Sequence, residues 1–188
     1  MSKASSKKFF KEYLSEKKVV GAVAPSSRFL CNKMLAGIDF DQDLVIVEYG
    51  PGTGVFTDEI IKRMNSNSVL YVFELNEVFY DALAARIKDP RVKIFHDSAS
   101  KAEEFLNLDN YHHADVVLSS LPLAVIPQPI KKEVMRVSEK LLADQGIYVQ
   151  FQYSLNAKKL LKKHFRNMKI SFTAINLPPA FVYQCSNR

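Results

Sequence analysis

The fold is decided by the stretch VEYGPGTGVF at residues 47–56, where a glycine-rich turn follows a run of valine and isoleucine. The apolar run LVIVEY (44–49) predicts a buried strand, and VFTDEIIKRM (55–64) predicts an amphipathic helix. In parallel sheets, ligands bind beyond the carboxyl ends of the strands, where such a turn lies. Glycine lets the backbone approach a ligand closely because no Cβ stands in the way. The turn therefore predicts a ligand site.

The spacing of the glycines restricts the kind of ligand. No lysine follows them, which excludes the phosphate-binding loop G-x-x-x-x-G-K-[ST]. Gly50 and Gly52 fit the start of the dinucleotide pattern G-x-G-x-x-G, but Val55 occupies its last position and the third glycine is Gly54. Glu48 ends the strand, and its carboxylate would repel phosphate but attract a cation such as an α-ammonium group. The pattern favours a cationic ligand without phosphate.

Two more acidic residues follow the next two predicted strands. Glu74 ends the second strand, where a carboxylate can accept hydrogen bonds from both hydroxyls of a ribose. Asp97 follows the third strand, and its carboxylate could accept the exocyclic amine of adenine with help from Ser98. Because the carboxyl ends of parallel strands meet at one edge, these groups are expected in one crevice. S-adenosylmethionine, a nucleoside with a positive charge and no phosphate, fits such a site.

Strands and helices alternate along the chain, which predicts a mostly parallel sheet with helices on both faces. The tight turn NLPP separates the last two strands, so these two are expected to pair antiparallel. Asn76 is the predicted N-cap of the second helix. The predicted strands are 44–49, 69–74, 92–96, 114–120, 146–153, 168–175 and 180–185, and the predicted helices are 55–64, 77–88, 129–142 and 156–165. The predicted inward residues of the first three helices are Ile60, Ile61 and Met64, then Phe79, Leu83 and Ile87, then Val134, Val137 and Leu141.

The size and composition indicate one compact domain, because 188 residues with 47% hydrophobic content can bury a sizeable core. Cys31 and Cys185 lie far apart, which indicates neither a disulfide framework nor a zinc site and favours a reducing cytosol. We expect no metal site. The N-terminus lacks the apolar core of a signal peptide, and no run of about 18 apolar residues predicts a membrane span.

The charge distribution predicts a polyanionic partner. Residues 1–33 carry eight Lys or Arg and two acids, residues 34–150 eleven Lys or Arg and eighteen acids, and residues 151–188 seven Lys or Arg and no acid. The two ends are therefore basic and the middle is acidic. Nucleic acid and an anionic membrane surface are both compatible with this pattern, and so is a protein with solvated lysines.

The segment KKFFKEYLSEKK (7–18) bears on this choice. As a helix it places apolar residues along one side with lysines beside them, which is typical of a helix lying in a membrane interface. Packing of the same helix on the core of the domain is the alternative. The predicted membrane-contacting residues are Lys7, Lys8, Phe9, Phe10, Lys11 and Leu14.

These motifs carry a family resemblance. The first motif resembles that of class I S-adenosylmethionine-dependent methyltransferases, and the chain is similar almost end to end to bacterial phospholipid N-methyltransferases related to ribosomal RNA adenine dimethylases. The segments that carry the likeness are VGAVAPSSRFL (20–30), EYGPGTGVFT (48–57), FELN (73–76), HDSA (96–99), SSLPLAVIP (119–127), FQYS (151–154) and NLPPAFVY (176–183).

The resemblance implies an α/β, Rossmann-like methyltransferase fold with a seven-stranded sheet ending in an antiparallel hairpin. Residues 1–33 would form a basic amphipathic helix and a segment that caps the donor, and residues 34–188 the methyltransferase domain. The predicted donor site comprises Glu48, Gly50, Gly52, Thr53, Gly54, Glu74, Leu75, Asp97, Ser98 and Ser119. The predicted substrate-contacting residues are Arg28, Ser120, Leu121 and Pro122, and the candidate catalytic bases are Tyr13, Tyr49, Tyr153 and His96.

The implied reaction is N-methylation of phosphatidylethanolamine towards phosphatidylcholine, by an enzyme bound peripherally to the cytoplasmic face of the membrane. Enzymes that methylate adenine N6 carry Asn or Asp and, three residues later, Tyr or Phe, whereas the segment SSLPL (119–123) has neither amide nor ring. Nucleic acid is therefore the less favoured partner. An RNA adenine N6-methyltransferase and a donor-binding protein without catalysis remain the alternatives. The sequence does not predict an oligomeric state.

Overall fold

A computed structural model describes residues 25–176 and 178–187 of the chain. Within this part, seven strands and six α-helices alternate, and two short 3₁₀ turns (Ala99–Lys101 and Leu155–Ala157) precede α4 and α6. The strands are β1 (Val45–Tyr49), β2 (Val69–Phe73), β3 (Val92–Phe95), β4 (Ala114–Ser119), β5 (Leu142–Gln152), β6 (Asn167–Thr173) and β7 (Ala180–Ser186). The helices are α1 (Pro25–Leu35), α2 (Val55–Arg63), α3 (Glu77–Arg86), α4 (Ala102–Leu108), α5 (Gln128–Leu141) and α6 (Lys158–His164).

All seven strands form one sheet in the order β3-β2-β1-β4-β5-β7-β6. Strands β1 to β5 pair in parallel wherever they are neighbours, and β7 runs antiparallel to both β5 and β6. The predicted mostly parallel sheet with a C-terminal antiparallel hairpin is therefore confirmed. The order reverses at β1, which lies between β2 and β4, and this is where ligands bind in sheets of this kind.

The register brings the carboxyl ends of the central strands to one level. Tyr49, the last residue of β1, pairs with Phe73 at the end of β2 and with Ser119 at the end of β4. The loops that follow these three strands therefore leave the sheet side by side. Glu74, Gly50 and Ser120 are the first residues of these loops, so the sequence positions that we singled out are brought together.

Alternate residues of the buried strands face two separate apolar layers, because successive side chains of a strand point to opposite faces. Val47 and Tyr49 of β1 contribute to one layer, which α4, α5 and α6 cover. Ile46 contributes to the other layer, which α1 and α2 cover. The sheet is thus enclosed on both faces, as predicted.

Two helices were not predicted from the sequence. Helix α1 buries Leu30, Cys31, Met34 and Leu35 against the second apolar layer, and the predicted boundary after residue 33 falls inside this helix. Helix α4 is only seven residues long and lies between β3 and β4. None of the helices in residues 25–176 and 178–187 combines the length and the apolar character needed to cross a bilayer.

Candidate active site

A cleft of about 540 Å³ opens at the carboxyl edge of the sheet, beside β1 and β2. This volume counts all the space between the lining atoms, including open solvent at the mouth. One side carries the polar groups that follow β2 and β3, and the other is apolar and comes from the loop after β4 and from α5. The lining residues are Gly50, Phe73, Glu74, Leu75, Asp97, Ser98, Ala99, Leu121, Ile126, Pro127, Ile130 and Val134.

The glycine turn has a backbone that other residues rarely adopt. Gly50, Gly52 and Gly54 have φ angles of +64°, +59° and +84°, in the left-handed region that favours glycine. A Cβ built on Gly52 would meet no atom within 4 Å, whereas one built on Gly50 would lie 2.9 Å from Cδ2 of Leu121. The turn therefore presents bare backbone to open space at Gly52, which suits the close approach of a ligand.

Glu74 is held against this turn. The backbone N–H of Gly52 donates to its Oε2 at 3.0 Å, and the backbone N–H of Asn76 donates to its Oε1 at 2.8 Å. Asn76 in turn caps α3 by accepting a hydrogen bond from the backbone N–H of Phe79, as predicted. These bonds fix the Glu74 carboxylate, only 2% exposed, at the wall of the cleft. A ribose placed there would meet a prepositioned acceptor.

Asp97 and Ser98 form the adjoining part of the wall. The Asp97 carboxylate accepts the backbone N–H of Ser98 at 2.7 Å and pairs with the Lys101 ammonium at 3.0 Å. The Ser98 hydroxyl caps the following 3₁₀ turn by accepting from the backbone N–H of Ser100. Both side chains are thus oriented by local bonds, next to Glu74 and Leu75.

The apolar wall is anchored by two glutamines that the sequence reasoning missed. The carbonyl oxygen of Leu121 accepts hydrogen bonds from the side-chain amides of Gln150 (3.0 Å) and Gln152 (2.9 Å). Both glutamines are buried, at alternate positions of the apolar end of strand β5. Two glutamines at alternate positions of a predicted buried strand could have indicated such an anchor, because buried amides need hydrogen-bond partners. They position the loop that carries Leu121 and Ile126.

Glu48 lies away from the cleft, on the face of β1 that α2 covers. It is 0% exposed, and the hydroxyl of Thr57 donates to its Oε2 at 2.7 Å. Its Oε1 has no hydrogen-bond partner among the described residues. Burial, aided by the nearby Glu74 charge and opposed by the Thr57 bond, raises the pKa of Glu48 to about 8. Glu48 is not among the described residues that line the cleft, and its contact with the donor stays a prediction.

Several other predicted site residues are not among the described residues that line the cleft. The Ser119 hydroxyl is buried and accepts the backbone N–H of Leu121 at 3.3 Å. The Ser120 hydroxyl is buried beside the glycine turn and has no hydrogen-bond partner in the described part of the chain. Thr53 and Arg28 are exposed, Pro122 is half-buried, and a Cβ on Gly54 would press on Leu83 and Arg86. Gly54 is thus required for packing against α3.

The candidate bases are widely separated. The phenol of Tyr49 is buried beneath α5, and the adjacent Ser138 hydroxyl donates to the carbonyl oxygen of Val134 at 2.7 Å. Burial raises the pKa of Tyr49 and, to a smaller extent, that of the half-exposed Tyr153 beyond β5. His96 is exposed and stacks on Tyr80 with ring centroids 5.0 Å apart. Phenols with raised pKa values keep their protons at neutral pH, so neither tyrosine is available to accept a proton.

The remaining predictions concern residues outside the described part. Tyr13 and the predicted membrane-contacting residues Lys7, Lys8, Phe9, Phe10, Lys11 and Leu14 all lie there. Within residues 25–176 and 178–187, no group of three or more His, Cys, Asp or Glu side chains is placed to bind a metal ion.

The strand order with its single reversed strand, together with a glycine turn at the switch point, defines the class I methyltransferase fold. The N-methyltransferase NodS from Bradyrhizobium japonicum WM9, solved with S-adenosyl-L-homocysteine, shares it with a TM-score of 0.68 and 10% identity, over 86% of this chain and 87% of that chain. Precorrin-6y C5,15-methyltransferase from Geobacter metallireducens GS-15 has a TM-score of 0.66 and 16% identity, over 89% of this chain and 90% of that chain. At these identities the likeness shows the fold.

Sequence similarity identifies the family within this fold. The family model described as ribosomal RNA adenine dimethylase matches residues 6–172, so the chain belongs to this family and is an S-adenosylmethionine-dependent methyltransferase. The ornithine lipid N-methyltransferase of Singulisphaera acidiphila is 27% identical over 95% of this chain and 92% of its own length. The ribosomal RNA small subunit methyltransferase A of Dehalococcoides mccartyi is 28% identical over 77% of this chain. The chain spans only 55% of that enzyme's length.

The residues present fit the donor. The fixed carboxylate of Glu74 and the pair Asp97 and Ser98 lie along one cleft, and the bare backbone of Gly52 is hydrogen-bonded to Glu74 beside it. The predicted donor residues Gly50, Glu74, Leu75, Asp97 and Ser98 are all brought together there. Whether each of them contacts the donor stays a prediction.

Proposed function

We propose that this methyltransferase N-methylates phosphatidylethanolamine, towards phosphatidylcholine, at the cytoplasmic surface of the membrane. The observation that carries the proposal is the composition of the segment after β4. Ser120 stands where adenine-methylating enzymes carry an amide, and Leu123 stands where they carry an aromatic ring. Leu123 is only 2% exposed and belongs to the apolar core. A flipped adenine would lack its stacking partner, a contact worth about 1–3 kcal/mol per base.

An aliphatic amine has different requirements from a base. It needs no ring to stack on, and an apolar wall such as that of Leu121, Ile126 and Pro127 suits the glycerol and acyl part of a lipid. The similarity to an ornithine lipid N-methyltransferase, which extends over nearly the whole of both chains, supports a lipid-borne amine as the acceptor. It also makes ornithine lipid the closest chemical competitor of phosphatidylethanolamine.

The chemistry asks little of the protein beyond position and exclusion of water. When bound, S-adenosylmethionine supplies a methyl group on a sulfonium that a neutral amine attacks in line. Residues Glu74 and Asp97 would hold the nucleoside, and the wall around Leu121 would exclude water from the path of the amine. The amine must lose a proton first, and we propose that water at the open mouth of the cleft takes it. The raised pKa of Tyr153 disfavours that residue as the base.

Two other functions are tested by the same experiment. The family description and the ribosomal RNA methyltransferase relatives favour RNA adenine N6-methylation, with the basic ends binding phosphates. A protein that binds the donor without catalysis is the third possibility. The acceptor therefore has to be identified directly.

The experiment supplies methyl-labelled S-adenosylmethionine with one acceptor in each tube: phosphatidylethanolamine vesicles, ornithine lipid vesicles, or ribosomal RNA. Label in phosphatidylethanolamine is the expected result, with less in ornithine lipid and none in RNA. Label in RNA alone would overturn the proposal, and label in ornithine lipid alone would correct the substrate. A Glu74→Ala variant serves as the matched control, because it retains the acceptor surface but is expected to bind the donor more weakly and to transfer less label at a limiting donor concentration.

A further inference from the structure

Five large apolar side chains are exposed along one part of the molecular surface. They come from three separate loops or strand ends, and we call them the apolar rim. Large exposed apolar patches mark interaction sites with proteins or membranes, whereas scattered exposed apolar residues are common, so the placement of these five matters. The members of the apolar rim and their exposed fractions are Val125 (46%), Tyr153 (48%), Leu155 (47%), Phe172 (50%) and Ile175 (62%).

The topology places the apolar rim at the edge of the sheet that carries the cleft. Val125 lies in the loop after β4, whose neighbours Leu121 and Ile126 line the cleft. Tyr153 and Leu155 follow the carboxyl end of β5, which pairs with β7 and through it with the end of β6. Phe172 and Ile175 belong to that end of β6 and to the turn after it. The apolar rim therefore borders the side of the cleft from which an acceptor would enter.

Local contacts hold the apolar rim in place. The ring of Phe172 packs on that of Phe181 with centroids 5.0 Å apart, and Tyr153 packs edge-on against Phe151 at 5.7 Å. In the turn after β6, the side-chain amide of Asn176 donates to the carbonyl oxygen of Pro178 at 2.6 Å. Half of each ring thus packs on the fold and half faces outward, on a preformed surface.

Four of the five members of the apolar rim belong to a basic stretch of the sequence. Residues 151–188 contain seven Lys or Arg and no Asp or Glu. The exposed Lys158 and Lys159 begin α6 directly after Leu155, and the exposed Lys162 and Lys163 follow one turn, roughly 6 Å, further along the helix. None of these four lysines forms an ion pair with another described residue. Apolar groups at the tip with lysines just behind them match the acyl and headgroup layers of an anionic bilayer.

At the β2 end of the same sheet edge, the exposed apolar residues have acidic neighbours. The exposed Leu75 and Val78, beyond β2, have the exposed acids Glu77 and Asp81 for neighbours. An anionic surface would repel this side of the molecule. Of these two parts of the described sheet edge, the apolar rim combines apolar exposure with cations, and this favours an approach to the bilayer with the apolar rim in front.

We propose that the apolar rim docks on an anionic phospholipid bilayer, with Lys158, Lys159, Lys162 and Lys163 at the headgroups. Docking in this orientation presents the cleft to the membrane, where a lipid acceptor would be found. The biological role of this docking therefore rests on the proposed function. RNA fits the surface less well, because Tyr153 and Phe172 are the two members of the apolar rim with a ring for base stacking, whereas Leu155, Ile175 and Val125 have none.

The first test is flotation of the full chain with vesicles of phosphatidylcholine and phosphatidylglycerol, which contain no acceptor and no donor. The double variant Leu155→Glu and Ile175→Glu is expected to reduce the partition coefficient about tenfold or more, since each exchange removes an apolar anchor and adds an anion. The matched control is Leu108→Glu, at the end of α4 on the opposite edge of the sheet and 74% exposed. Equal partitioning of the double variant and the control would overturn the proposal.

The second test uses the absence of tryptophan from the chain. The variant Ile175→Trp carries a single reporter, whose emission is expected to shift to the blue with the same vesicles and to be quenched by brominated acyl chains. The variant Leu108→Trp is expected to show neither change, and quenching equal in both, or in neither, would contradict docking through the apolar rim. Reduced binding of ribosomal RNA by the double variant, with vesicle binding intact, would also overturn it. Methylation is not read in these assays, so a wrong acceptor in the proposed function leaves their outcome unchanged.

Discussion

The backbone N–H of Gly52 donates a hydrogen bond to the Glu74 carboxylate across 3.0 Å, which links the turn after β1 to the end of β2. The two residues are 22 positions apart, and parallel pairing of β1 with β2 brings them together. The turn that approaches the donor and the acid that would hold its ribose therefore form one unit. Disturbing either residue is expected to alter the affinity for the donor.

Replacement of Glu74 tests whether its carboxylate binds the ribose of the donor. Glu74→Ala is expected to weaken S-adenosylhomocysteine binding about tenfold or more, because hydrogen bonds to a charged group contribute about 1.5–3 kcal/mol. Isothermal titration calorimetry measures the affinity, and Glu77→Ala, an exposed acid three residues on, is the matched control. Unchanged affinity in Glu74→Ala would show that the ribose lies elsewhere.

Two glycines of the turn are expected to separate donor binding from stability. Gly52→Ala places a methyl group in open space next to the hydrogen bond with Glu74, so it should weaken donor binding. The positive φ at this position should also lower stability by about 1–2 kcal/mol. Gly54→Ala would add an overlap with Cδ2 of Leu83, 2.5 Å away, worth about another 1–3 kcal/mol. Urea denaturation and calorimetry measure the two effects. A larger loss of stability in Gly52→Ala than in Gly54→Ala would refute the assignment.

The unpartnered hydroxyl of Ser120 distinguishes an acceptor contact from a packing role. If it receives the acceptor amine, Ser120→Ala should lower kcat/KM for phosphatidylethanolamine about fivefold to tenfold, since a neutral hydrogen bond contributes about 1 kcal/mol. Donor affinity and the melting temperature should not change, because the hydroxyl makes no bond to the described residues. Unaltered kcat/KM would remove Ser120 from the acceptor site.

Glu48 is expected to give the protein a measurable pH dependence of stability. Its pKa is raised from 4.5 to about 8 on folding, so the folded state binds more protons than the unfolded state between these values. The contribution of Glu48 is then fully present below about pH 4.5 and is lost as the pH rises to about 8. Glu48→Gln lacks this dependence, so its melting temperature relative to the wild type should rise between about pH 5 and about pH 8. A difference that is the same at both pH values would contradict a buried, neutral carboxyl.

The regular elements with strong periodicity could be predicted from the sequence. Apolar runs and alternating apolar residues identified the strands, and Val134, Val137 and Leu141 of α5 are buried as predicted. Helix α4 was missed because seven residues with only Ala102 and Leu106 buried are too short for a clear period. Strand β5 begins at Leu142, four residues earlier than predicted. The register of the β4–β5 pairing shifts between Ala114 and Val116, and the two strands pair on both sides of this shift.

Some residues of the site could also be predicted from the sequence, and others could not. Glu74 and Asp97 were predictable because they directly follow strands whose carboxyl ends share an edge. Glu48 was expected at the same site, but its side chain lies on the face of β1 that α2 covers, where it accepts a hydrogen bond from Thr57. This contact depends on how α2 packs on the sheet, which the sequence does not show. In α3, Leu83 is buried as predicted, whereas Phe79 and Ile87 are half-exposed because the helix lies at the end of the sheet beside β3.

The acceptor is the central question, and a competition assay addresses it most directly. Phosphatidylethanolamine vesicles and ribosomal RNA are mixed in one tube with a limiting amount of methyl-labelled S-adenosylmethionine, and chloroform extraction then separates lipid from RNA. Label is expected in the organic phase, as N-methylated phosphatidylethanolamine on chromatography. Label that remains in the aqueous phase with the RNA would contradict a lipid N-methyltransferase.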